Sequence, residues 1–381
     1  MAHSHCRDLN SFQGAKLWRR FNSLTETGKS NSRVKAITDS NGSTQTDETV
    51  IAEVFAAHLG AVHATHEGPE YCDVTRTQIE TEINSSDALF RPCFSDAGLE
   101  PGDDHFLAEV IHPDDVHAAL KQCKSRSAAG QDGVSYAMLK QSTNLFVAAL
   151  AHLFTACLLA GYFPRAWKEA VGVMLLKPEK AAKLPSSYRP ISLLGCMGKL
   201  FERIIATRLH AHLSEINFFN NYQRAYRKGM DGGEHMFRLA DSLAHAKLGG
   251  YKTAVASLDV EKAFDSIWHD GLRFKLAMPA IGLPVKLIRL LSSFLYERQI
   301  SVRIGSSLST PTPLKAGTPQ GSVLSPVLFN MYVNDIPLYP SLLSDSAQFA
   351  DDISMWVAHK KKDSAVKLLQ QKLKALEPCT G

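Results

Sequence analysis

The segment AQFADDISMWVA (347–358) decides the fold that this sequence predicts. It consists of two short apolar halves joined at Asp351 and Asp352, a pattern that predicts a β-hairpin with two carboxylates at its tip. Upstream, TAVASLDV (253–260) predicts an apolar strand with Asp259 near its C-terminal end. Because the flanking residues are hydrophobic, these three carboxylates are expected beside an apolar layer.

Like charges beside an apolar layer lose hydration and repel one another unless a cation compensates them. Mg²⁺ prefers carboxylate oxygens and water as ligands, and a pair of such ions is the usual device for phosphoryl or nucleotidyl transfer. In that chemistry one ion lowers the pKa of the attacking 3′-hydroxyl and the other stabilises the leaving pyrophosphate. Taken alone, however, an Asp-Asp pair is more often a polar turn, and Asp259 could equally cap a strand.

The composition of the 381-residue chain is that of an ordinary globular protein, with 45 % hydrophobic and 21 % charged residues. A net charge of +4 does not by itself indicate a nucleic-acid-binding protein, although basic residues are dense over 121–127, 223–229 and 359–363. The seven cysteines occur singly without a CxxC pair, which indicates reduced thiols and neither a zinc knuckle nor a disulfide framework. The N-terminus lacks the apolar region of a secretory signal.

One apolar segment, LFVAALAHLFTACLLAGYF (145–163), is about as long as a membrane span. It contains His152 and Thr155, and it closes with Gly161 and Pro164, a pattern that ends a helix. A buried core helix is therefore predicted, with no membrane as a partner.

The remaining pattern predicts helices over 18–24, 48–62, 113–124, 144–161, 198–213 and 364–376, and a buried strand over 171–177. A polar loop is predicted over 38–47 and a linker over 67–104. Ser325 is predicted to cap a helix that has Pro326 at its first position. His63 is predicted to lie at the surface, because no set of further metal ligands accompanies it.

Several stretches of the sequence resemble motifs of the reverse transcriptases of non-LTR retrotransposons. They occur in the same order as in that family. Motifs A, B and C of that family are resembled by SLDVEKAFDSIWHDGL (257–272), AGTPQGSVLSPVLFNMYVNDI (316–336) and FADD (349–352). Its fingers motifs are resembled by SAAGQDGVSYAMLK (127–140), the stretch 177–205 and QRAYRKGMDG (223–232). The resemblance covers about residues 105–376, and the joint match is highly specific.

The resemblance implies an α+β fold of the right-hand polymerase type, with fingers, a partial palm built on an antiparallel sheet, and no thumb. Residues 1–104 would be a helical N-terminal extension and linker, and residues 105–381 the reverse transcriptase domain. The fingers would cover about 105–250 and 271–315, and the palm about 251–270 and 316–381. Because a further palm strand, a primer grip and a thumb are expected to follow in the family, this chain alone is expected to be inactive or very weakly active.

By resemblance, Asp259, Asp351 and Asp352 are the catalytic carboxylates. They would bind two Mg²⁺ ions, which Mn²⁺ can replace, with the backbone carbonyl of Val260 as a further ligand and Asp352 as the less direct one. Phe264 falls where the family keeps a steric gate, an aromatic ring beneath the sugar that clashes with a 2′-hydroxyl. The alternative for Phe264 is an ordinary core aromatic.

The other residues that would bind the incoming nucleotide, by resemblance, are Lys177, Arg189, Gln320 and Gly321. Arginine offers a planar donor fork and lysine a point charge to phosphate oxygens, although a plain surface lysine is the alternative at Lys177. Gly321 permits a close backbone approach. The template or primer would be contacted by Gly130, Asp132, Gly133, Gln223 and Arg227.

Four positions have other expectations. Ala225 stands where the family has the glycine of its QxGF pattern. Asp265, Trp268 and His269 are predicted to be structural rather than chemical.

The function implied is RNA-templated DNA synthesis from a primer 3′-hydroxyl, with an RNA template, a DNA primer or nicked target, and dNTPs as partners, and without zinc. Two alternatives stay open: a non-catalytic, nucleic-acid-binding remnant of a transposon, and a reverse transcriptase of the group II intron or retron type. An intracellular location is expected, in the nucleus and cytoplasm as part of a ribonucleoprotein.

Overall fold

The computed structural model describes residues 34–64, 73–93, 106–227, 229–230, 232–260, 262–336 and 344–376. These ranges contain twelve α-helices and ten β-strands, and the strands form three sheets. The mixed α and β architecture predicted from the sequence is confirmed. The helix predicted over 18–24 lies outside the described residues.

The helices are α1 (Glu48–Val62), α2 (Asp73–Ser85), α3 (Asp87–Phe90), α4 (Pro113–Gln122), α5 (Tyr136–Lys140), α6 (Asn144–Ala160), α7 (Cys196–Glu215), α8 (Gly232–Leu248), α9 (His269–Leu276), α10 (Val285–Leu295), α11 (Ser325–Tyr332) and α12 (Lys362–Lys374). The strands are β1 (Ile37–Thr38), β2 (Thr44–Gln45), β3 (Glu169–Leu176), β4 (Tyr188–Leu193), β5 (Lys252–Asp259), β6 (Arg298–Ile304), β7 (Ser307–Leu308), β8 (Thr312–Leu314), β9 (Ser344–Phe349) and β10 (Asp352–His359). The helices predicted within these ranges and the two predicted strands agree with α1, α4, α6, α7, α12, β3 and β5 to within two residues at each end.

A small antiparallel sheet carries the predicted carboxylates. Its strand order is β5-β10-β9, and β9 and β10 form the predicted hairpin. Ile353, Met355 and Val357 alternate along β10 and pack against Leu369 of α12. This apolar layer holds the register of the sheet, because a slip of one residue would turn all three side chains to the opposite face.

The larger sheet has the order β4-β3-β6-β7, with β8 also paired to β6. Strands β3 and β6 are parallel, and the other pairs are antiparallel. Helix α1 lies on this sheet and buries Ile51 and Phe55 against Ile300 and Val302. The Phe55 ring also meets Tyr188 of β4 edge-on, with ring centroids 5.0 Å apart. Helix α1 therefore shares a hydrophobic core with the sheet.

A helical core contains most of the remaining buried side chains. At its centre Phe201 of α7 stacks on Phe154 of α6 at 5.0 Å and on Phe163 at 6.0 Å. Trp167 and Phe294 complete this aromatic cluster. Helix α6, which the sequence predicts as a core helix, ends at Gly161 with a left-handed φ of +63°. In the described part of the chain, no helix has the length and apolarity to cross a membrane.

Two predictions for the N-terminal region are wrong. The polar loop predicted over 38–47 contains a short hairpin, because Ile37 and Thr38 pair with Gln45 and Thr44. The linker predicted over 67–104 is helical where it is described, as α2 and α3. Its apolar residues Ile83 and Phe90 are buried in the helical core, and this tertiary burial overrides the polar local composition.

The cap predicted for α11 is also wrong. Leu324 occupies the N-cap position, so Ser325 begins the helix and Pro326 is its second residue. The hydroxyl of Ser322 accepts the N–H of Leu324 at 3.1 Å and of Ser325 at 3.2 Å. The buried carboxylate of Glu202 accepts the Leu324 N–H at 3.3 Å as well. These two side chains bind free N–H groups at the start of the helix, while the Ser325 hydroxyl donates to the carbonyl of Pro319 over 3.0 Å.

Buried His269 secures the segment before α11. Its Nε2–H donates to the carbonyl of Gly317 over 2.7 Å. The pKa of His269 is lowered to about 4, and burial is the largest cause. Arg298 and His63 also lower it, while the hydrogen bond to Gly317 and the carboxylate of Asp270 act in the opposite direction. His269 is therefore a neutral, structural residue at physiological pH, as the sequence predicts.

Replacing Phe201 by alanine tests the importance of the aromatic cluster. The substitution removes a fully buried ring, so we expect the free energy of unfolding to fall by about 3–5 kcal/mol in urea denaturation. Phe237→Ala removes a ring that is 69 % exposed and serves as the control, with an expected change within about 0.5 kcal/mol. Equal losses in the two variants would contradict the assignment of the core.

The pH dependence of stability tests the burial of His269. Its pKa is about 4 in the folded chain against an ordinary value of 6.5, so between these values only the unfolded chain takes up the proton. Its contribution to stability is complete above pH 6.5 and is lost as the pH falls towards 4, with a slope of at most about 1.4 kcal/mol per pH unit. We expect His269→Gln to flatten this slope in urea titrations at stepped pH. Superimposable pH profiles for the two proteins would refute the assignment.

Candidate active site

One end of the small sheet gathers the three predicted carboxylates. Asp259, the last residue of β5, lies directly opposite Asp352, the first residue of β10. Asp351 belongs to the two-residue turn between β9 and β10, and its carbonyl accepts the Val260 N–H over 3.4 Å. The carboxylates of a strand end and a hairpin tip thus meet at one edge of the sheet.

The carboxyl group of Asp351 has an unfavourable environment for its negative charge. Burial raises its pKa above the ordinary value, and the carboxylates of Asp352 and Asp259 raise it further. The guanidinium of Arg189 and a backbone hydrogen bond act in the opposite direction. A carboxylate whose pKa is raised by like charges is stabilised in its ionised form when a cation joins the site.

A divalent cation fits the chemistry of these donors, because hard cations prefer carboxylate and carbonyl oxygens. The groups that could hold it are the carboxylates of Asp259, Asp351 and Asp352 and the carbonyl of Val260. Among the described residues, no three His, Cys, Asp or Glu side chains already converge on one point where an ion would sit. A bound divalent cation would offset the repulsion between these like charges.

A cleft of about 780 Å³ opens beside the carboxylates, and Asp259, Val260 and Asp351 form part of its lining. The five residues predicted to bind the incoming nucleotide line the same cleft: Lys177, Arg189, Phe264, Gln320 and Gly321. They come from β4, from the ends of β3 and β5, and from the loop before α11. Folding therefore brings together all five residues from separate parts of the chain.

Phe264 is a half-buried ring in the wall of the cleft. It stacks on Phe329 of α11 with centroids 4.7 Å apart, and it meets Tyr226 edge-on at 6.0 Å. The ring therefore both packs against the core and faces the cleft. A side chain fixed on two sides is suited to a steric role, since it cannot easily move aside.

Two basic residues from the larger sheet bring positive charge to the cleft. Arg189 lies on β4, exposed and paired in register with Leu175 of β3. Lys177 follows β3, and its Nζ donates to the carbonyl of Ser186 over 2.9 Å. The lining of the cleft thus combines cations with carboxylates.

The loop before α11 is held by buried polar contacts. The side-chain amide of Gln320 donates to both carboxylate oxygens of Asp265, at 2.8 and 3.0 Å. The backbone carbonyl of Gln320 accepts the N–H of Ser192 over 2.9 Å. Gly321 has a φ of +127°, and a Cβ there would lie 2.7 Å from the Ser192 carbonyl, so only glycine fits. Asp265 is structural, as predicted.

His63 contradicts its prediction as a surface residue, because α1 docks on the larger sheet and its C-terminal end is buried. Its Nδ1 lies 2.9 Å from the carbonyl of Ala316, and its Nε2 lies 3.6 Å from the carboxylate of Asp265. The N–H of Lys315 donates to the His63 carbonyl over 3.0 Å. The end of α1 is thus hydrogen-bonded to residues 315–316, which precede α11, and lies close to Asp265 in the loop after β5.

Several cleft residues have no functional prediction from the sequence, among them His58 of α1, Lys262 and Tyr226. Burial lowers the pKa of His58, and the positive charges of Lys262 and Lys177 lower it further. The periodicity of α1 gives no signal for this placement, because it predicts only which face of the helix is apolar.

The predicted template contacts Gly130, Asp132 and Gly133 lie outside the lining of this cleft. They form a turn against the start of α7, in which Asp132 accepts the Val134 N–H over 3.1 Å. A Cβ at Gly130 would lie 2.6 Å from the nitrogen of Gly195, and Gly133 has a φ of +69°. The glycines therefore meet backbone requirements of this turn, and a contact with template remains a prediction.

Gln223, predicted to contact the template or primer, is instead fully buried, and its side chain bonds the backbone of Ala350. Arg227 donates to the carbonyls of Asn220 and Gln223 at 3.1 and 3.0 Å. Its guanidinium lies 5.5 Å from the centre of the Phe219 ring, and burial lowers its pKa. The Gln223 side chain has no exposed surface in this conformation, in a segment that pairs with β9, and its contact with template or primer stays a prediction.

Alanine is accommodated at position 225, where the resembled pattern has glycine. Ala225 is fully buried, and its φ is not positive, whereas the next residue, Tyr226, has a φ of +56°. The Ala225 N–H donates to Gln223 Oε1 over 3.0 Å, and its carbonyl accepts from Asn330 Nδ2 over 2.7 Å. The left-handed position of this loop is therefore Tyr226.

Comparisons with known proteins agree with this geometry. Residues 176–380 match the family described as reverse transcriptase (RNA-dependent DNA polymerase). The chain is 33 % identical over 272 residues to "Probable RNA-directed DNA polymerase from transposon BS" of Drosophila melanogaster, covering 70 % of this chain and 30 % of that protein.

Two further relatives come from the same fly. The chain is 33 % identical over 324 residues to "Probable RNA-directed DNA polymerase from transposon X-element", covering 84 % of this chain and 34 % of that protein. It is 30 % identical over 270 residues to "RNA-directed DNA polymerase from mobile element jockey", covering 69 % of this chain and 29 % of that protein. The chain thus spans about a third of the length of these curated relatives.

The family match extends over more than half of the chain and includes all three carboxylates, the cleft residues from Lys177 onward and the hairpin that carries Asp351. The chain therefore belongs to the reverse transcriptase family, among the polymerases of non-LTR retrotransposons.

Proposed function

We propose that this chain carries the catalytic centre of an RNA-directed DNA polymerase that extends a primer 3′-hydroxyl with dNTPs. The observation that carries the proposal is the composition of the cleft, which joins the carboxylates of Asp259 and Asp351 to the cations of Lys177 and Arg189. Nucleotidyl transfer requires both groups, because carboxylates hold the metal ions and cations bind the triphosphate.

In this proposal the small sheet is the palm and the larger sheet belongs to the fingers. The palm comprises about 251–270 and 316–381, and the fingers about 105–250 and 271–315. Two observations support the division: the carboxylates lie at one end of the small sheet, and Arg189 lies on the larger one. Helix α1 belongs to the N-terminal extension but packs on the larger sheet.

Each side of the cleft has a chemical role in the proposal. Two divalent ions, Mg²⁺ or Mn²⁺, supply activation of the 3′-hydroxyl and stabilisation of pyrophosphate when they are bound. Asp259, Asp351 and the Val260 carbonyl hold these ions, with Asp352 as the less direct ligand. On the opposite wall, Lys177 and Arg189 orient the triphosphate by binding its oxygens.

The remaining contacts select and align the nucleotide. The ring of Phe264, fixed against Phe329, supports the sugar and leaves no room for a 2′-hydroxyl. Gln320, held by Asp265, and Gly321, which lies close to Ser192, shape the cleft where the base pairs with its template. An RNA template and a DNA primer or nicked target complete the proposed complex.

Single-nucleotide incorporation tests the proposal. We expect the chain to add one dNTP to a DNA primer on an RNA template in Mn²⁺. Asp351→Asn removes a metal-binding charge and is expected to lower the rate about a hundredfold or more, equivalent to about 2.7 kcal/mol.

The matched control is Asp241→Asn, which changes an exposed carboxylate on α8 and is expected to leave the rate unchanged. Equal incorporation by wild type and Asp351→Asn would contradict the proposed centre. Salt-dependent RNA binding by a wild type that incorporates nothing would favour a non-catalytic binding protein instead.

Phe264→Val tests the steric gate. The smaller side chain leaves space beneath the sugar, so we expect the preference for dNTP over rNTP to fall about tenfold or more, equivalent to about 1.4 kcal/mol. The measurement compares incorporation of dCTP and CTP by the same preparation, and dCTP incorporation reports whether the variant is intact. An unchanged ratio would assign Phe264 to packing alone.

A further inference from the structure

We infer that Gln223 is a positioning residue for the catalytic carboxylates: its buried amide fixes Ala350, and Ala350 fixes the turn that carries Asp351 and Asp352. The inference rests on the proposed function, since it concerns how the metal-binding groups are held. It assigns to Gln223 a role inside the protein in place of the predicted contact with template or primer.

The contact is a two-way amide pair. Gln223 Oε1 accepts the N–H of Ala350 over 3.0 Å, and Gln223 Nε2 donates to the Ala350 carbonyl over 3.3 Å. One side chain therefore binds both polar backbone groups of a single residue, as a neighbouring β-strand would. The Ala350 carbonyl also accepts from Gln348 Nε2 over 3.1 Å, so the Ala350 N–H is the group that depends on Gln223. Gln223 has no exposed surface and Ala350 has 4 %, so water has little access to replace these bonds.

Ala350 needs such support because of its backbone conformation. Its φ is +58°, a left-handed conformation that a residue with a Cβ rarely adopts. Such residues persist only where the surrounding structure determines them, and they occur often at functional sites. Here the next residue along the chain is Asp351, whose direction follows from the conformation of the turn.

Gln223 is itself held from three sides. The N–H groups of Gln223 and of its neighbour Tyr222 both donate to the side-chain oxygen of Asn220 at 3.0 Å. The Gln348 N–H donates to the Tyr222 carbonyl over 2.9 Å, which joins this segment to β9. Arg227 donates to the Gln223 carbonyl, as described above. The amide thus reaches Ala350 from a fixed backbone.

Without the hydrogen bonds between Gln223 and Ala350, the side chains at the hairpin tip would no longer be held in fixed directions. Asp352 lies opposite both Phe349 and Asp259, and successive side chains in a strand point to opposite faces. If the turn rearranges, Asp351 and Asp352 change the faces to which they point, although the strands farther from the tip stay paired. Metal binding is therefore more sensitive to Gln223 than overall stability is.

The test measures Mn²⁺ binding by electron paramagnetic resonance, using the full 381-residue chain. The wild-type chain is expected to bind Mn²⁺, and the Asp351→Asn substitution is expected to abolish that binding. Gln223→Met keeps the length and volume of the side chain but removes its hydrogen bonds to Ala350 and to the Ala225 N–H, and is expected to weaken Mn²⁺ affinity about tenfold or more. Gln370→Ala, at an exposed position on α12, is the control and is expected to bind as wild type does.

A rescue experiment separates positioning from packing. Glycine adopts a positive φ without strain, so Ala350→Gly is expected to restore Mn²⁺ affinity to within about threefold of wild type in the Gln223→Met background. A glycine at the turn cannot repair a packing defect at Gln223, so rescue is expected only if the residue acts through Ala350. Should Gln223→Met fail to fold, Gln223→Asn keeps an uncharged amide but shortens the side chain by one methylene and so withdraws it from Ala350, with the same expected loss of affinity and the same rescue.

The outcomes distinguish this inference from the proposed function. A wild type that binds no Mn²⁺ at Asp351 would overturn the metal site and with it the role of Gln223. A wild type that binds Mn²⁺, together with Gln223 variants of unchanged affinity, would overturn the role of Gln223 alone. Weakened binding that Ala350→Gly does not restore would also overturn it, because the effect would then not pass through the turn.

Discussion

Antiparallel pairing between β5 and β10 is the constraint on which the active site depends. It sets Asp259 opposite Asp352 and places the turn with Asp351 beside them, although the three charges repel one another. The pairing persists because β10 is apolar on one face beyond the tip. There Ile353 and the alternate side chains along β10 pack on α12. Hydrophobic burial thus holds a register that electrostatics alone would oppose, and a divalent cation relieves the repulsion when it binds.

Two backbone segments position functional groups in the cleft: the loop before α11 and the turn between β9 and β10. A buried polar side chain holds each of them. Gly321 approaches Ser192 so closely that a side chain is excluded, while Asp265 holds the amide of Gln320. At the hairpin tip, Gln223 holds Ala350 in a left-handed conformation. Satisfied polar contacts in a low-dielectric interior are rigid and directional, which hydrophobic contacts are not. The geometry of the cleft therefore depends on hydrogen bonds, and its stability on the cores around it.

The N-terminal helix α1 is part of the cleft as well as of the larger sheet's core. Phe55 anchors it on the sheet, His58 lines the cleft, and His63 contacts Ala316 and lies near Asp265. A residue change in α1 can therefore alter the cleft without touching a motif of the family. The same arrangement places His58 near Lys177 and Lys262, whose positive charges lower its pKa and would attract an anionic triphosphate.

Local pattern and resemblance were enough to predict part of the regular structure and part of the cleft. The helices α6 and α7, the hairpin around Asp351, and the five residues expected to bind the nucleotide were all predicted in this way, and the five residues line the cleft. Only the tertiary structure decided that His63 is buried, that Gln223 bonds Ala350 rather than template, and that residues 73–90 are helical. The physical reason is that hydrophobic periodicity is encoded locally, whereas a polar side chain takes its role from partners that are distant in the chain. Gln223 and Ala350 are 127 residues apart in the chain, and no local pattern contains their contact.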